Sequence, residues 1–406
     1  MVNIGFVRRI LNQSQMMLFF ITLCVTVVIL AHMYLQSHNR PKPLSDTVIF
    51  KKTSVLAMEH ISSAPERLKD LIAKSAPKKN RSALPLCPEQ PSHLVGKMNI
   101  KPTVTLEEVT KENNLKNISF GGRYSPQNCN GRERTAIIIP YRDRKEHLEI
   151  CVRHLHAVLQ RQELEYGIYV VEMALPTQFN RGLLANAGVR TVREIYDYTC
   201  FIIHDVDMLM TDDRNLYRCG NQPVHFLTLS TKHGNNSISY ADYYGAVVGF
   251  TSEQYQKCNG FSNLYFGWGG EDDDLGIRVQ SAGMKFIRPK KEIGMYVALL
   301  HDGDVSNQRN PNRYVLLSQA KSRWMEEGVE TVQFQRLALE YRKLYTWILI
   351  RVKEESIVRR YQQYLEDMTS RVPTILLSNV LPIEIVVAFS VNLLFTYVMM
   401  DIEQLY

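Results

Sequence analysis

Four acidic residues stand in a row at Glu271-Asp272-Asp273-Asp274, directly after Gly267-Trp268-Gly269-Gly270. Adjacent carboxylates repel, so a fold that keeps them must offer a helix N-terminus, a metal ion or a ligand with several hydroxyls. A helix over 275–282 would account for the acids but not for the glycines and Trp before them. Glycines allow a hinge or a close ligand approach, and an indole face on apolar C–H groups beside carboxylates is an arrangement that binds sugars. Asp205-Val206-Asp207 follows an apolar run. On an extended chain, carboxylates at i and i+2 point the same way and can hold a divalent cation together with a diphosphate. His301 follows another apolar run at 297–300. With Asp207 it would form a mixed carboxylate and imidazole site, which suits Mn2+ better than Mg2+. Pro140-Tyr141-Arg142-Asp143-Arg144 supplies two guanidiniums able to fork a diphosphate, and Phe179-Asn180-Arg181 opens a helix whose first N–H groups suit an anion.

Elements must carry these groups to one place. The short apolar run 136–139, closed by Pro140, predicts a strand buried on both faces. Over 146–159, Leu148, Val152, Leu155 and Leu159 share one helical face. A strand at 166–171, a helix at 181–195 and a strand at 200–203 complete a βαβαβ order. That order predicts an α/β fold with an open, mostly parallel sheet and flanking helices, whose ligands lie beyond the carboxyl ends of the strands. Every motif named above except the Trp-Gly-Gly block and His301 follows one of those three strands. No Gly-rich dinucleotide fingerprint follows the first strand, and no P-loop or Gly-x-Ser-x-Gly elbow occurs, which argues against dehydrogenase, NTPase and serine-hydrolase readings.

The chain is long enough, at 406 residues, for one large domain with appendages. Its net charge of +7 is confined to one end: residues 1–86 carry 12 Lys and Arg against 4 Asp and Glu, leaving 36 against 37 for the rest. A near-neutral body argues against nucleic acid as a partner. Residues 16–35 are apolar and uncharged, long enough to span a bilayer as an uncleaved anchor. Residues 36–86, rich in Lys, Pro and Ser, read as a stem, and folding should begin near Cys87. Sequons at Asn80, Asn117 and Asn235 and six cysteines beyond the span agree with a body in the secretory pathway. Residues 353–371 have helical spacing with Ile357, Tyr361 and Tyr364, and the apolar stretch 375–400 is a candidate second membrane segment.

These motifs, with Cys87-Pro88-Glu89, Gly121-Gly122-Arg123-Tyr124 and Tyr217-Arg218-Cys219, resemble the animal β-1,4-galactosyltransferases in order and type from about Cys87 to Val352. The resemblance implies a GT-A fold with a cytosolic tail at 1–15, a signal anchor at 16–35, a stem at 36–86, a lumenal catalytic domain at 87–352 and a tail of unassigned role at 353–406. It implies a single-pass type II Golgi membrane enzyme that moves galactose from UDP-galactose to O4 of a terminal N-acetylglucosamine on glycoprotein or glycolipid glycans, with inversion. Cys87 would pair with Cys129 and Cys200 with Cys219, leaving Cys151 and Cys258 free. The nucleotide sugar would lie along Pro140, Arg142, Arg144, Phe179, Arg181, Asp205, Val206, Asp207, Lys232, Tyr243 and Trp268, with Asp207 and His301 holding Mn2+. The acceptor would meet Tyr240, Gly270, Glu271, Asp272, Asp273, Arg313, Tyr314 and Leu317, with Asp272 as general base. Trp268 would close over the donor. Tyr243 would crowd an acetamido group at C2 and so favour galactose over N-acetylgalactosamine. Where that family has Met three residues before the His, this chain has Ala298. The alternatives are an N-acetylgalactosaminyltransferase and a catalytically silent sugar-binding membrane protein.

Overall fold

The computed structural model of the protein describes residues 83–112, 115, 117–231, 240–300 and 307–371. The apolar stretches at 16–35 and 375–400 lie outside the described residues, among which no helix is long and apolar enough to cross a membrane. In chain order the elements are α1 (Leu106–Glu112), β1 (Arg123–Tyr124), β2 (Arg134–Tyr141), α2 (Lys145–Arg161), β3 (Glu165–Met173), α3 (Arg181–Ile195), β4 (Cys200–His204), β5 (Met208–Met210), β6 (Val224–His225), β7 (Leu229–Ser230) and β8 (Val247–Thr251). There follow α4 (Ser252–Lys257), α5 (Glu271–Ser281), β9 (Met295–Ala298), α6 (Arg313–Ser318), α7 (Ala320–Arg323), β10 (Gln335–Tyr341), β11 (Thr346–Arg351) and α8 (Glu354–Arg371).

The main sheet runs β10-β11-β3-β2-β4-β8-β6, with β1 on the same edge of β3 as β11 but nearer the start of β3. Only its centre, β11-β3-β2-β4, is parallel; β1, β10, β8 and β6 pair antiparallel. The expectation of a mostly parallel sheet therefore holds for the βαβαβ core and β11, and not for the other strands. A four-residue turn between β10 and β11 is too short for a crossover, so those strands must be antiparallel. A smaller sheet, β5-β9-β7, stands beside it.

The two crossover helices take opposite faces. Leu148, Val152, Leu155 and Leu159 of α2 pack on one side with Ile137, Ile139, Ile168 and Val170. Leu183, Leu184, Ala187 and Val192 of α3 pack on the other with Ala136, Ile138, Val171 and Ile203. Because successive strand residues point to opposite faces, a strand sandwiched in this way must be apolar throughout, which is why 136–139 shows no alternation. Pro140 does not close β2, which runs on to Tyr141 beside β3. A residue without an N–H is tolerated there because pairing with β4 has already ended at Ile138. The disulfides are Cys87–Cys129 and Cys200–Cys219, with Cys151 and Cys258 buried as thiols.

Candidate active site

At the carboxyl end of β2, where β3 and β4 flank it and the chain leaves for opposite faces, a crevice is the topological consequence. A cavity of about 630 Å³ lies there. Pro140, Arg142 and Arg144 reach it from β2, Phe179 and Arg181 from the start of α3, and Asp205, Val206 and Asp207 from the end of β4. Across from them stand Trp268, Gly270, Glu271, Asp272 and Asp273, with Tyr240, Tyr243, Arg313, Tyr314 and Leu317 completing the wall. Lys232 and His301, and the sequons at Asn80 and Asn235, lie outside the described residues. Asn117 is exposed.

After β4 the chain turns at Val206 and Asp207 instead of running on extended, so the two carboxylates do not act as one pair. They meet different arginines. Arg181 donates from Nε to Asp205 at 2.6 Å, and Arg144 Nη1 stands 3.4 Å from Asp207. Arg181 also donates from Nη1 to Asp272 at 2.8 Å, so one buried guanidinium joins the strand side of the cavity to the acidic side. Burial works against its charge, but Asp205 and Asp272 outweigh that and hold its pKa above the ordinary value. Asn180 fixes the origin of this clamp: its side chain caps α3 by accepting from Leu183 N at 2.9 Å.

Gly267, Gly269 and Gly270 have φ of 95°, 105° and 93°, a region that side-chain-bearing residues rarely adopt. These angles let Trp268 stand out, about half exposed, and let α5 begin immediately after Gly270. Trp268 is tied through its backbone to the segment beyond His301: its N–H donates to Gln308 O at 2.9 Å and its carbonyl accepts from Asn310 N at 3.0 Å.

The four acids then part. Glu271, Asp272 and Asp273 face the cavity, whereas Asp274 is fully buried and bonded to Arg278, Arg323 and Tyr265. Burial, and secondarily the Asp272 carboxylate beside it, pushes Glu271 up to about 8 against the opposing pull of Arg181. Asp273 accepts from Tyr240 at 2.5 Å and is raised mainly by burial. Tyr243 is raised by burial and then by Asp272 and Asp205, so it stays a neutral hydroxyl at physiological pH.

Several contributors escaped the sequence reading. A Cβ on Gly245 would come within 2.4 Å of both Asp272 Oδ2 and the Tyr243 hydroxyl, so only glycine leaves those groups where they are. Asn307 and Arg309 also line the cavity. Arg288 donates to Ala241 O at 2.9 Å, Tyr243 O at 2.6 Å and His225 Nδ1 at 2.9 Å. His225 Nε2 then carries the hydrogen taken by Gly245 O at 2.9 Å. Nothing local in the sequence marks His225 and Arg288, because their partners lie 20 to 63 positions away. Removing them loosens the segment that carries Tyr240 and Tyr243. Arg288→Ala is expected to lower the efficiency of whatever reaction the cavity performs about tenfold, on the scale of one or two lost hydrogen bonds. Steady-state kinetics would test this, and an unchanged kcat/KM in the variant would remove Arg288 from the account.

The chain matches two family models: the N-terminal region of glycosyl transferase group 7 over residues 87–220, and the N-terminal domain of galactosyltransferase over residues 227–302. It is 42% identical over 292 residues to β-1,4-galactosyltransferase 3 of Cricetulus griseus, covering 71% of each chain. It is 40% identical to human β-1,4-galactosyltransferase 1, covering 71% of this chain and 73% of that one. Against β-1,4-galactosyltransferase 4 of Cricetulus griseus it is 37% identical, covering 82% and 94%. Among solved structures, a Drosophila β-1,4-galactosyltransferase 7 mutant in complex with manganese, UDP-Gal and xylobiose is 25% identical, with a TM-score of 0.48, over 54% of this chain and 94% of that one.

Proposed function

The chain belongs to the animal β-1,4-galactosyltransferase family, and on that footing we propose that it moves galactose from UDP-galactose to O4 of a terminal β-N-acetylglucosamine, inverting the anomeric centre. The single observation that carries the mechanism is the cavity with two chemically distinct walls: arginines at the strand ends, carboxylates and an indole opposite.

Guanidiniums suit a diphosphate, so the nucleotide lies along Pro140, Arg142, Arg144, Phe179, Arg181 and Val206, with Lys232 contributing. The acceptor lies along Arg313, Tyr314 and Leu317, its hydroxyls taken by Glu271 and Asp273. Asp272 removes the proton from the acceptor O4 as that oxygen attacks C1 of galactose and the C1–O bond to the diphosphate breaks on the opposite side. Attack opposite the leaving group inverts C1. Trp268, held on its glycines, covers the donor and excludes water that would otherwise hydrolyse it.

A Mn2+ ion suits the residues present. The Asp207 carboxylate is buried at the cavity, and Asp207 O accepts from Leu299 N at 2.8 Å, which brings the chain two positions short of His301 alongside it. Carboxylate with imidazole is a donor set for that metal. Held by Asp207 and His301, the ion would supply positive charge to the departing diphosphate.

The two disulfides of the body suit an oxidising compartment, and the apolar run at 16–35 suits an uncleaved anchor. Both support a type II Golgi membrane protein with a lumenal catalytic domain.

The test is transfer to a β-N-acetylglucosaminide by the detergent-solubilised full chain with Mn2+, UDP-galactose and UDP-N-acetylgalactosamine being compared. Galactose should move faster. Tyr243→Leu should shift the preference toward the acetamido donor by about 10- to 100-fold, the range available to one steric contact. An unsubstituted chain that prefers the acetamido donor would overturn the donor assignment, and one inert with both would overturn the reaction.

A further inference from the structure

We infer that α8, the helix beyond the last strand, is the back wall of the acceptor pocket, and that Ile357 and Tyr361 are positioning residues for the acceptor sugar. The inference rests on the reading of Arg313, Tyr314 and Leu317 as the acceptor wall given above.

Those three residues lie on or within α6, a helix of six residues whose Asn312 makes no side-chain cap. A helix so short has no stability of its own, so its place depends on what it packs against. Its inward residue, Leu316, is buried in a small cluster with Leu264 and Tyr265, separate from the two cores of the sheet. Ile357 and Tyr361, one turn apart on α8, pack on that cluster from outside, and Ile357 also packs on the core beneath α3. The Tyr361 hydroxyl also hydrogen-bonds the side chain of Gln319, which ends α6 and starts α7.

The same cluster reaches the acidic wall. Tyr265 donates to Asp274 at 2.9 Å, and its ring edge is 2.7 Å from where a Cβ of Gly270 would be. A displacement of α8 would therefore be felt by α6 and by the first turn of α5, both on the acceptor side. The nucleotide wall rests on β2, α3 and β4, whose core Ile357 touches, whereas Tyr361 packs on the Leu316 cluster and bonds Gln319. This asymmetry predicts a selective effect: loss of the Tyr361 contacts should weaken acceptor binding and spare the donor.

In the full chain, Tyr361→Ala is expected to raise acceptor KM about five- to tenfold and to leave the KM for UDP-galactose within about twofold, and Tyr361→Phe should give a smaller rise of the same kind. Glu355→Ala, on the exposed side of α8, should change neither. Hydrogen exchange supplies a readout independent of catalysis. Amides of 313–318 should exchange about tenfold faster in Tyr361→Ala, with those of β2 unchanged. Equal rises in both KM values, or unchanged exchange at 313–318, would overturn the inference. Should the unsubstituted chain fail to use an N-acetylglucosaminide, the acceptor reading falls. The exchange experiment would still decide whether α8 positions α6.

Discussion

Asp272→Asn is expected to lower kcat about 10³-fold, within the range a general base contributes, while the protein stays folded and binds UDP-galactose. The substitution keeps the shape of the side chain, which matters because Gly245 leaves no slack around Oδ2. It removes the negative charge and, with it, the capacity to take a proton. Arg181 can still donate to the amide oxygen and keeps its stronger-placed partner Asp205, so the guanidinium is not stranded in the protein interior. The nucleotide wall is thereby preserved, and donor affinity measured by calorimetry should move by less than about threefold, since one weakened contact is worth about 1 kcal/mol or less. Glu271 offers no easy rescue. It is held up to about 8, first by burial and then by Asp272, so at neutral pH it largely keeps its proton. Losing the neighbouring charge should bring Glu271 down, and residual activity that disappears when Glu271→Gln is added would identify it as the substitute base. A variant that retains more than a tenth of parental kcat would mean the acceptor proton leaves by another route.

The sequence carried the framework of this site because its signals are local. A continuous apolar run marked β2, amphipathic spacing marked α2, and the alternation of strand and helix beyond them placed β3, α3 and β4. What it could not carry are relations across the chain. Arg181 meets acids 24 and 91 positions away, and Arg144 meets one 63 positions away. Read as a pair on an extended strand, Asp205 and Asp207 suggested shared coordination; the turn at Val206 separates them, and no pattern in three residues announces it. The antiparallel edges were hidden for a similar reason. β6 and β1 are two residues long, below the length at which alternation can be recognised. The disulfide pairs came only from family resemblance, since spacing alone leaves their connectivity open.

The acidic block has a second half, and its failure should be as plain as that of the first. Asp274→Asn is expected to cost about 3–5 kcal/mol of stability, the usual cost of breaking a buried ion pair from one side. Asp274 and Arg278 are both fully buried, 2.5 Å apart, and Arg323, 1% exposed, contacts the other carboxylate oxygen. Glu327 serves both arginines as well, so two buried cations share two acids. With Asp274 neutral, one positive charge is left without compensation away from water, and that, more than the lost attraction, sets the magnitude. The midpoint of thermal unfolding should fall by about 10 °C, taking roughly 2–4 °C per kcal/mol for a domain of this size. An exposed pair makes the control: Arg336 and Glu194 at 2.8 Å should be separable at under about 1 kcal/mol. If Asp274→Asn melts with the parent protein, the buried network is not what fixes α5. If it melts early, the run of four acids has a physical explanation. Three carboxylates can be held at the cavity, against their mutual repulsion, because the fourth turns inward and, with Arg278 of the same helix, ties the helix that carries them to Arg323 and Glu327.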